Sequence, residues 1–197
     1  MEEFLARLGG IHRTVHGDGH RNLARIVKTC EEMLVDRGCT TVTRSELTRA
    51  VRAGSPIIVG RRRDDHETHI FLSEEDKVGI KAARVILDAA GDNDVILVSL
   101  EGPTPFTRRA CEGTRLQFML ARNLCFNVTH HALVPRHERL EEPPSGVTRA
   151  QLPKLLDNDP VVQYHNWPVG TVVRVWRTYA GHEPLPYFRC VAPLAAS

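Results

Sequence analysis

Proline placement constrains this 197-residue chain more than any other feature. Pro135, Pro143, Pro144, Pro153, Pro160, Pro168, Pro184 and Pro186 punctuate everything after Thr129. Each proline lacks a backbone N–H, fixes φ and breaks a helix interior. No helical period survives among them. Upstream of Thr129 apolar residues recur at the spacings of helices and strands. The two halves therefore need different architectures. With 42% hydrophobic residues, the chain can fill a core in each of two small domains.

Residues 1–21 hold Gly9, Gly10, Gly17 and Gly19 among His12, His16 and His20, with no sustained period, and read as a flexible arm. Leu23, Ile26, Val27, Cys30, Met33 and Leu34 then form one helical stripe, with Asn22 as N-cap and Gly38 as stop. Thr43-Arg44-Ser45-Glu46 has the form of a capping box opening a short helix that ends at Gly54. Ile57–Val59 and Ile70–Leu72 read as strands joined by the charged stretch from Arg61 to Thr68. A helix follows, with Ile80, Ala83, Leu87 and Ala90 on one face and Gly91 at its end. Val95–Val98 is a continuous apolar run of buried-strand type. Gly102-Pro103-Thr104-Pro105 leads into a short helix, and Leu124–Val128 is expected to be the last strand of an α/β domain. Beyond Thr129, 171–176 and 188–191 read as strands of a β-rich module.

A net charge of +2 is too small for a protein that holds nucleic acid by charge alone. The five cysteines are odd in number and form no CxxC pair, so they read as reduced, small apolar residues. No apolar run approaches the roughly 20 residues of a membrane span, and no membrane partner is expected. Cys125, His131 and His137 fit no standard zinc spacing, so neither metal nor cofactor is expected.

One segment carries a resemblance. His131-Ala132-Leu133-Val134-Pro135-Arg136-His137 resembles the His-x-Leu-Val-Pro-x-His signature of the fifth subunit shared by nuclear RNA polymerases, a family with an archaeal counterpart. Leu152-Pro153, Asp159-Pro160, Tyr164, Gly170, Val172-Val173, Arg177 and Phe188-Arg189 continue that pattern in order. Lys77–Lys81 and Gly102-x-Thr104-Pro105 look like two motifs of the family's N-terminal domain. The resemblance covers about residues 22–192.

It implies an α/β N-terminal jaw domain (22–129), nuclease-like but inactive, and a small α+β, β-rich C-terminal assembly domain (130–197). It further implies a non-catalytic subunit in the nucleus, docked on the largest polymerase subunit beside other subunits, with its jaw against downstream double-stranded DNA. The implied DNA-proximal residues are Thr104, Pro105, Arg108 and Arg109. The implied partner interface is His131, Leu133, Val134, Pro135, His137, Asp159, Pro160, Arg177 and Arg189. Three departures stand out: Phe106-Thr107 after the jaw motif, the linker Glu141–Gly146, and Thr178–Glu183 where the family carries a Pro-Ser-Glu-Thr-Ala-Gly-like loop. They suggest a paralogue used by one polymerase class, such as polymerase I.

Without the resemblance, most of these residues have simpler readings. Arg108 and Arg109 become solvated charges on a capped helix. Arg61-Arg62-Arg63, followed by Asp64-Asp65, reads as a solvated hairpin tip rather than a phosphate patch or import signal. Asp159-Pro160 becomes a turn device. Tyr164, Trp167, Trp176 and Tyr187 serve either core or interface.

Two rival functions remain. Glu75-Asp76-Lys77 has the Glu-x-Lys form of Mg²⁺-dependent nucleases. Such a site needs a second acid nearby. Asp64 and Asp65 sit at the expected hairpin tip, and ten extended residues span roughly 33 Å, too far for one metal. A stand-alone DNA-binding protein is the other rival, and the small net charge speaks against it.

Overall fold

The computed structural model describes residues 2–10, 18–52, 54–75, 77–179 and 183–194. The chain divides into two compact units, Met1–Phe126 and Asn127–Ser197, so the division falls just before the expected boundary at Thr129.

The expected flexible arm is wrong for residues 2–9, which form helix α1 (Glu2–Gly9) with Phe4, Leu5 and Leu8 buried. Phe4-Leu5 and Leu8 share one face of a helix too short to show a repeating period. His12, His16 and Gly17 lie outside the described residues. Helix α2 (Gly19–Asp36) begins earlier than the stripe suggests, because Asp18 is the N-cap and accepts from the His20 N–H. Asn22, expected as the cap, is buried instead and donates from Nδ2 to the Leu8 carbonyl at 2.9 Å. The stripe from Leu23 to Leu34 is buried throughout.

Strand β1 (Thr41–Arg44) occupies the segment read as a capping box. Thr43 pairs with Val59 there, and helix α3 (Leu47–Arg52) starts only beyond Glu46. Strands β2 (Ile58–Arg61) and β3 (Glu67–Leu72) form the expected antiparallel hairpin. Its tip is less solvated than expected. Arg61 pairs with Glu67 at 2.7 Å, while Arg62 and His66 both reach Asp94, at 3.3 and 3.0 Å.

Strand β4 (Lys77–Val78), helix α4 (Ile80–Ala90), strand β5 (Asp94–Ser99), strand β6 (Gly102–Pro103), helix α5 (Pro105–Ala110) and strand β7 (Leu116–Leu120) follow. Gly91 ends α4 at φ 61°, a left-handed position that glycine takes without strain. Among the described residues, β1-β2-β3-β5-β7 form one mixed sheet, antiparallel over β1–β3 and parallel over β3, β5 and β7. Register puts Ile58, Ile70 and Ile96 on one face. Gly60 shares that face, and a Cβ there would lie 3.0 Å from Leu34 Cδ1 of α2. Phe71, Val95 and Leu97 face the other way and pack with Ala83 and Ala90 of α4 and with Cys111 after α5.

The last strand of this sheet is β7, not Leu124–Val128, which bridges two 3₁₀ turns, Ala121–Leu124 and Val128–His130. Local side-chain bonds compete with a ladder there. Cys125 Sγ donates to the Ala121 carbonyl, and Asn127 Oδ1 accepts from the Thr129 N–H. Burial pushes the Cys30 thiol up to about 12, so this side chain acts as an inert apolar residue.

The second unit holds strand β8 (Arg136–Leu140), strand β9 (Lys154–Leu156), helix α6 (Pro160–His165), strand β10 (Val172–Arg177) and strand β11 (Leu185–Ala192). The sheet order is β8-β10-β11-β9, with only β9 and β11 parallel. Val173, Val175, Val191 and Leu155 share one face and pack with Val162 of α6. Helix α6 accords with the α+β class that the resemblance implies, although no helical period in the sequence marks its place. Asp159-Pro160 is more than a turn: Asp159 Oδ1 accepts from the Val161 N–H at 2.8 Å, and Pro160 stands in the first helical turn, where no N–H is needed.

Candidate partner-binding site

The sheet of the second unit is only partly covered. Helix α6 sits over Val173, Val191 and Leu155, and the same face continues past the start of α6 along β8, β10 and β11. Cross-strand register places His137 beside Val175, and Val175 beside Tyr187. Arg189 stands opposite Val173. The result is an open groove of about 390 Å³. Its floor is His137, Val175 and Leu155, one wall is Leu133-Val134-Pro135, and the other is Asp159-Pro160-Val161. Arg177 and Arg189 complete the lining.

Eight of the nine residues implied as a partner interface therefore meet at one place: Leu133, Val134, Pro135, His137, Asp159, Pro160, Arg177 and Arg189. His131 does not line it. Its ring is exposed, and Nδ1 accepts from the Leu133 N–H at 3.2 Å, which shapes the turn that carries the wall. Val128, Leu155, Val161 and Val175 also line the groove and were not singled out from the sequence. Nothing local distinguishes them from ordinary core valines and leucines. Only the sheet register could reveal them.

The electrostatics of the groove are mixed. His137 Nδ1 lies 2.7 Å from the Pro135 carbonyl oxygen, so Nδ1 carries the proton and Nε2 of the neutral ring is an acceptor. Burial holds this imidazole below its ordinary range, with the charges of Arg189 and Arg177 adding to the effect. The bond to Pro135 and the nearby Asp159 oppose it. Arg189 donates to the Lys154 carbonyl at 3.0 Å, and the Arg177 guanidinium lies 5.4 Å over the Tyr187 ring. Tyr187 in turn bonds to the Tyr179 hydroxyl at 3.0 Å. Residues 180–182 of the altered loop lie outside the described residues.

The depressed His137 makes the chain acid-sensitive. Above about pH 6.5 the ring is neutral both folded and unfolded, and it contributes no pH dependence. As pH falls through that value the unfolded chain takes up the proton first, so stability drops until the lower folded value is passed. His137→Gln should flatten the fall of the denaturation midpoint as pH drops below about 6.5, relative to the parent. Parallel pH profiles of the two proteins would rule this out.

The implied DNA-proximal residues sit in the first unit. Thr104 caps α5, its hydroxyl accepting from the Thr107 N–H at 3.2 Å, and Pro105 begins the helix. Arg108 and Arg109 are exposed in its last turn, and Phe106 is 69% exposed beside them. The threonine hydroxyl is thus occupied structurally, and the two arginines are the groups presented to solvent. In the nuclease-like stretch Asp76 lies outside the described residues, while Lys77 Nζ pairs with Glu101 at 3.3 Å. Among the described residues no group of three or more His, Cys, Asp or Glu side chains could hold a metal ion.

Comparison with known proteins yields two findings. Residues 126–191 match the family described as RNA polymerase Rpb5, C-terminal domain. The chain is also 31% identical over 176 residues to the DNA-directed RNA polymerases I, II, and III subunit rpabc1 of Dictyostelium discoideum, covering 79% of this chain and 89% of that relative. The corresponding RPABC1 subunits of Caenorhabditis briggsae and Caenorhabditis elegans are each 28% identical over 187 residues, covering 79% of this chain and 88% of the relative.

Proposed function

The chain belongs to the Rpb5 family, and from that premise we propose that it is a non-catalytic subunit of a nuclear DNA-directed RNA polymerase. The observation that carries the reading is the convergence of the signature residues. Elements far apart in sequence bring Leu133–Pro135, His137, Asp159-Pro160, Arg177 and Arg189 to one groove. Arginines, an apolar wall and an open, half-polar cavity suit contact with another protein better than chemistry. The partner is the largest polymerase subunit, with other subunits adjoining. In this reading the first unit is the jaw, an α/β body with no chemistry of its own.

The relatives are named as subunits of polymerases I, II and III. This chain departs from the family pattern at Phe106-Thr107, at Glu141–Gly146 and at Thr178–Glu183. These changes support a paralogue dedicated to one class, such as polymerase I. The test is a tagged pull-down from nuclear extract, with identification of the chains that follow. Recovery of the two largest subunits of one class is the expected result. Recovery of all three classes would make the chain a shared subunit, and recovery of the chain alone would remove the subunit reading.

The jaw contacts downstream DNA through Arg108 and Arg109, which touch phosphates without reading sequence. Replacing both with Ala should leave assembly intact and speed the decay of open complexes as salt rises. The log–log salt slope of complex stability should fall by about 0.9 for each phosphate that an arginine no longer neutralises. An unchanged slope would remove the DNA contact.

A further inference from the structure

We propose that the groove of the second unit binds an extended segment of a partner chain in which an aspartate or glutamate adjoins an apolar side chain. This deepens the subunit reading and rests on it: it states the chemistry by which the partner is held.

Charge complementarity carries the argument. Among the described residues neither Arg177 nor Arg189 forms an ion pair, in contrast to Arg61, Arg62, Arg115 and Arg174, which all pair with carboxylates. Arg189 is held by the Lys154 carbonyl and Arg177 lies over the Tyr187 ring. Each therefore keeps donors for a carboxylate while its position is set, an arrangement that suits arginine's fork. Two arginines and one acid line the groove, so the charged side chains of its lining leave a single positive charge in excess. Asp159 is the one acid in the lining, and its Oδ1 is committed to the Val161 N–H.

The rest of the groove selects a peptide over a nucleic-acid backbone. Leu133 projects 86% exposed beside Val134 and Pro135, over buried Val128, Leu155 and Val175. A phosphate chain would leave that surface uncovered. A peptide covers it with an apolar side chain, and its N–H groups match the acceptors at His137 Nε2 and Asp159. A second arginine-bearing groove, with Arg139 and Arg149, is ringed by Glu141, Pro168 and Val169. That site carries arginines, one of them bonded to the Glu141 carbonyl, but none of the residues of the first groove, which makes it the natural control.

The test uses the full chain and a fluorescein-labelled peptide, Ser-Glu-Leu-Asp-Leu-Glu-Ser, with its amide counterpart Ser-Gln-Leu-Asn-Leu-Gln-Ser, read by fluorescence polarisation. The acidic peptide should bind about tenfold more tightly than the amide peptide, the difference a charge-assisted hydrogen bond makes. R177Q/R189Q should erase that difference while R139Q/R149Q preserves it. Leu133→Asp, at a side chain too exposed to matter for folding, should weaken the acidic peptide through repulsion and a smaller apolar wall. Circular dichroism would verify that each variant is folded.

Equal binding of the two peptides overturns the proposal. So does equal weakening by both arginine pairs, absence of binding to the folded parent chain, or displacement of the acidic peptide by a short DNA duplex. The two readings fail separately. A tagged chain that recovers polymerase subunits yet ignores the acidic peptide loses only the groove chemistry. One that takes the acidic peptide yet recovers no polymerase loses only the subunit reading.

Discussion

Replacing Gly19 with alanine should destabilise the first unit by about 3 kcal/mol or more, against the direction that helix propensity alone predicts. Alanine in a helix is favoured over glycine by up to about 1 kcal/mol. At Gly19, however, a Cβ would land on the Leu5 carbonyl, 2.6 Å from its carbon and in overlap with its oxygen. Backbone cannot swing aside as the end of a side chain can. Either α1 is displaced from α2 or α2 bends. Displacement exposes Phe4, Leu5 and Leu8, whose burial is worth about 1.5–3 kcal/mol each at most. It also strips the Leu8 carbonyl from buried Asn22. Denaturant unfolding measures the loss. Hydrogen exchange should show protection lost first across residues 2–9. A Gly19→Ala protein within about 0.5 kcal/mol of the parent would mean that α1 does not pack here.

The second large effect is expected at Tyr164. It is among the largest fully buried side chains, and its hydroxyl accepts from Asn127 Nδ2 at 3.0 Å. Asn127 in turn caps the 3₁₀ turn Val128–His130 through the Thr129 N–H and hydroxyl, at 2.9 and 2.6 Å. Tyr164 therefore fills the core and ties α6 to the segment that leads into the groove wall. Tyr164→Ala should cost about 3–5 kcal/mol, the range for deleting a buried ring. Tyr164→Phe keeps the ring and removes only the hydroxyl, which should cost about 1–2 kcal/mol. Both are read by denaturant unfolding. Equal costs would mean that the hydrogen bond, not the ring, fastens α6. Because α6 carries Asp159, Pro160 and Val161, the alanine variant should also lose recovery of polymerase partners, while the phenylalanine variant keeps it.

How much could be read from the sequence depended on how far apart the deciding residues lie. Helices α2 and α4, strand β5 and the β2–β3 hairpin were legible, because each rests on a period or turn signal within one segment. The stripe from Leu23 to Leu34 is buried as its spacing requires. Strand β7 was missed because its ladder partner, Val95–Ser99, is distant, and the neighbouring Leu124–Val128 is just as apolar. Helix α6 was missed because six residues after a proline are too few to show a stripe. Strands β8 and β9 lie among charges and prolines, and only pairing with β10 and β11 defines them.

The same division holds for the candidate site. The family's signature is legible along the chain, since it rests on residue type and order. So are the local devices: the Thr104-Pro105 cap, the Asp159-Pro160 pair and the glycine that ends α4. Tertiary contacts alone bring eight signature residues to one groove, keep His131 out of its lining, and leave Arg177 and Arg189 without an ion pair among the described residues. A side chain's face is set by strand register, and register is a property of two strands at once. No segment carries that information alone, so residues adjacent in the groove are separated in the chain by lengths that no local pattern spans.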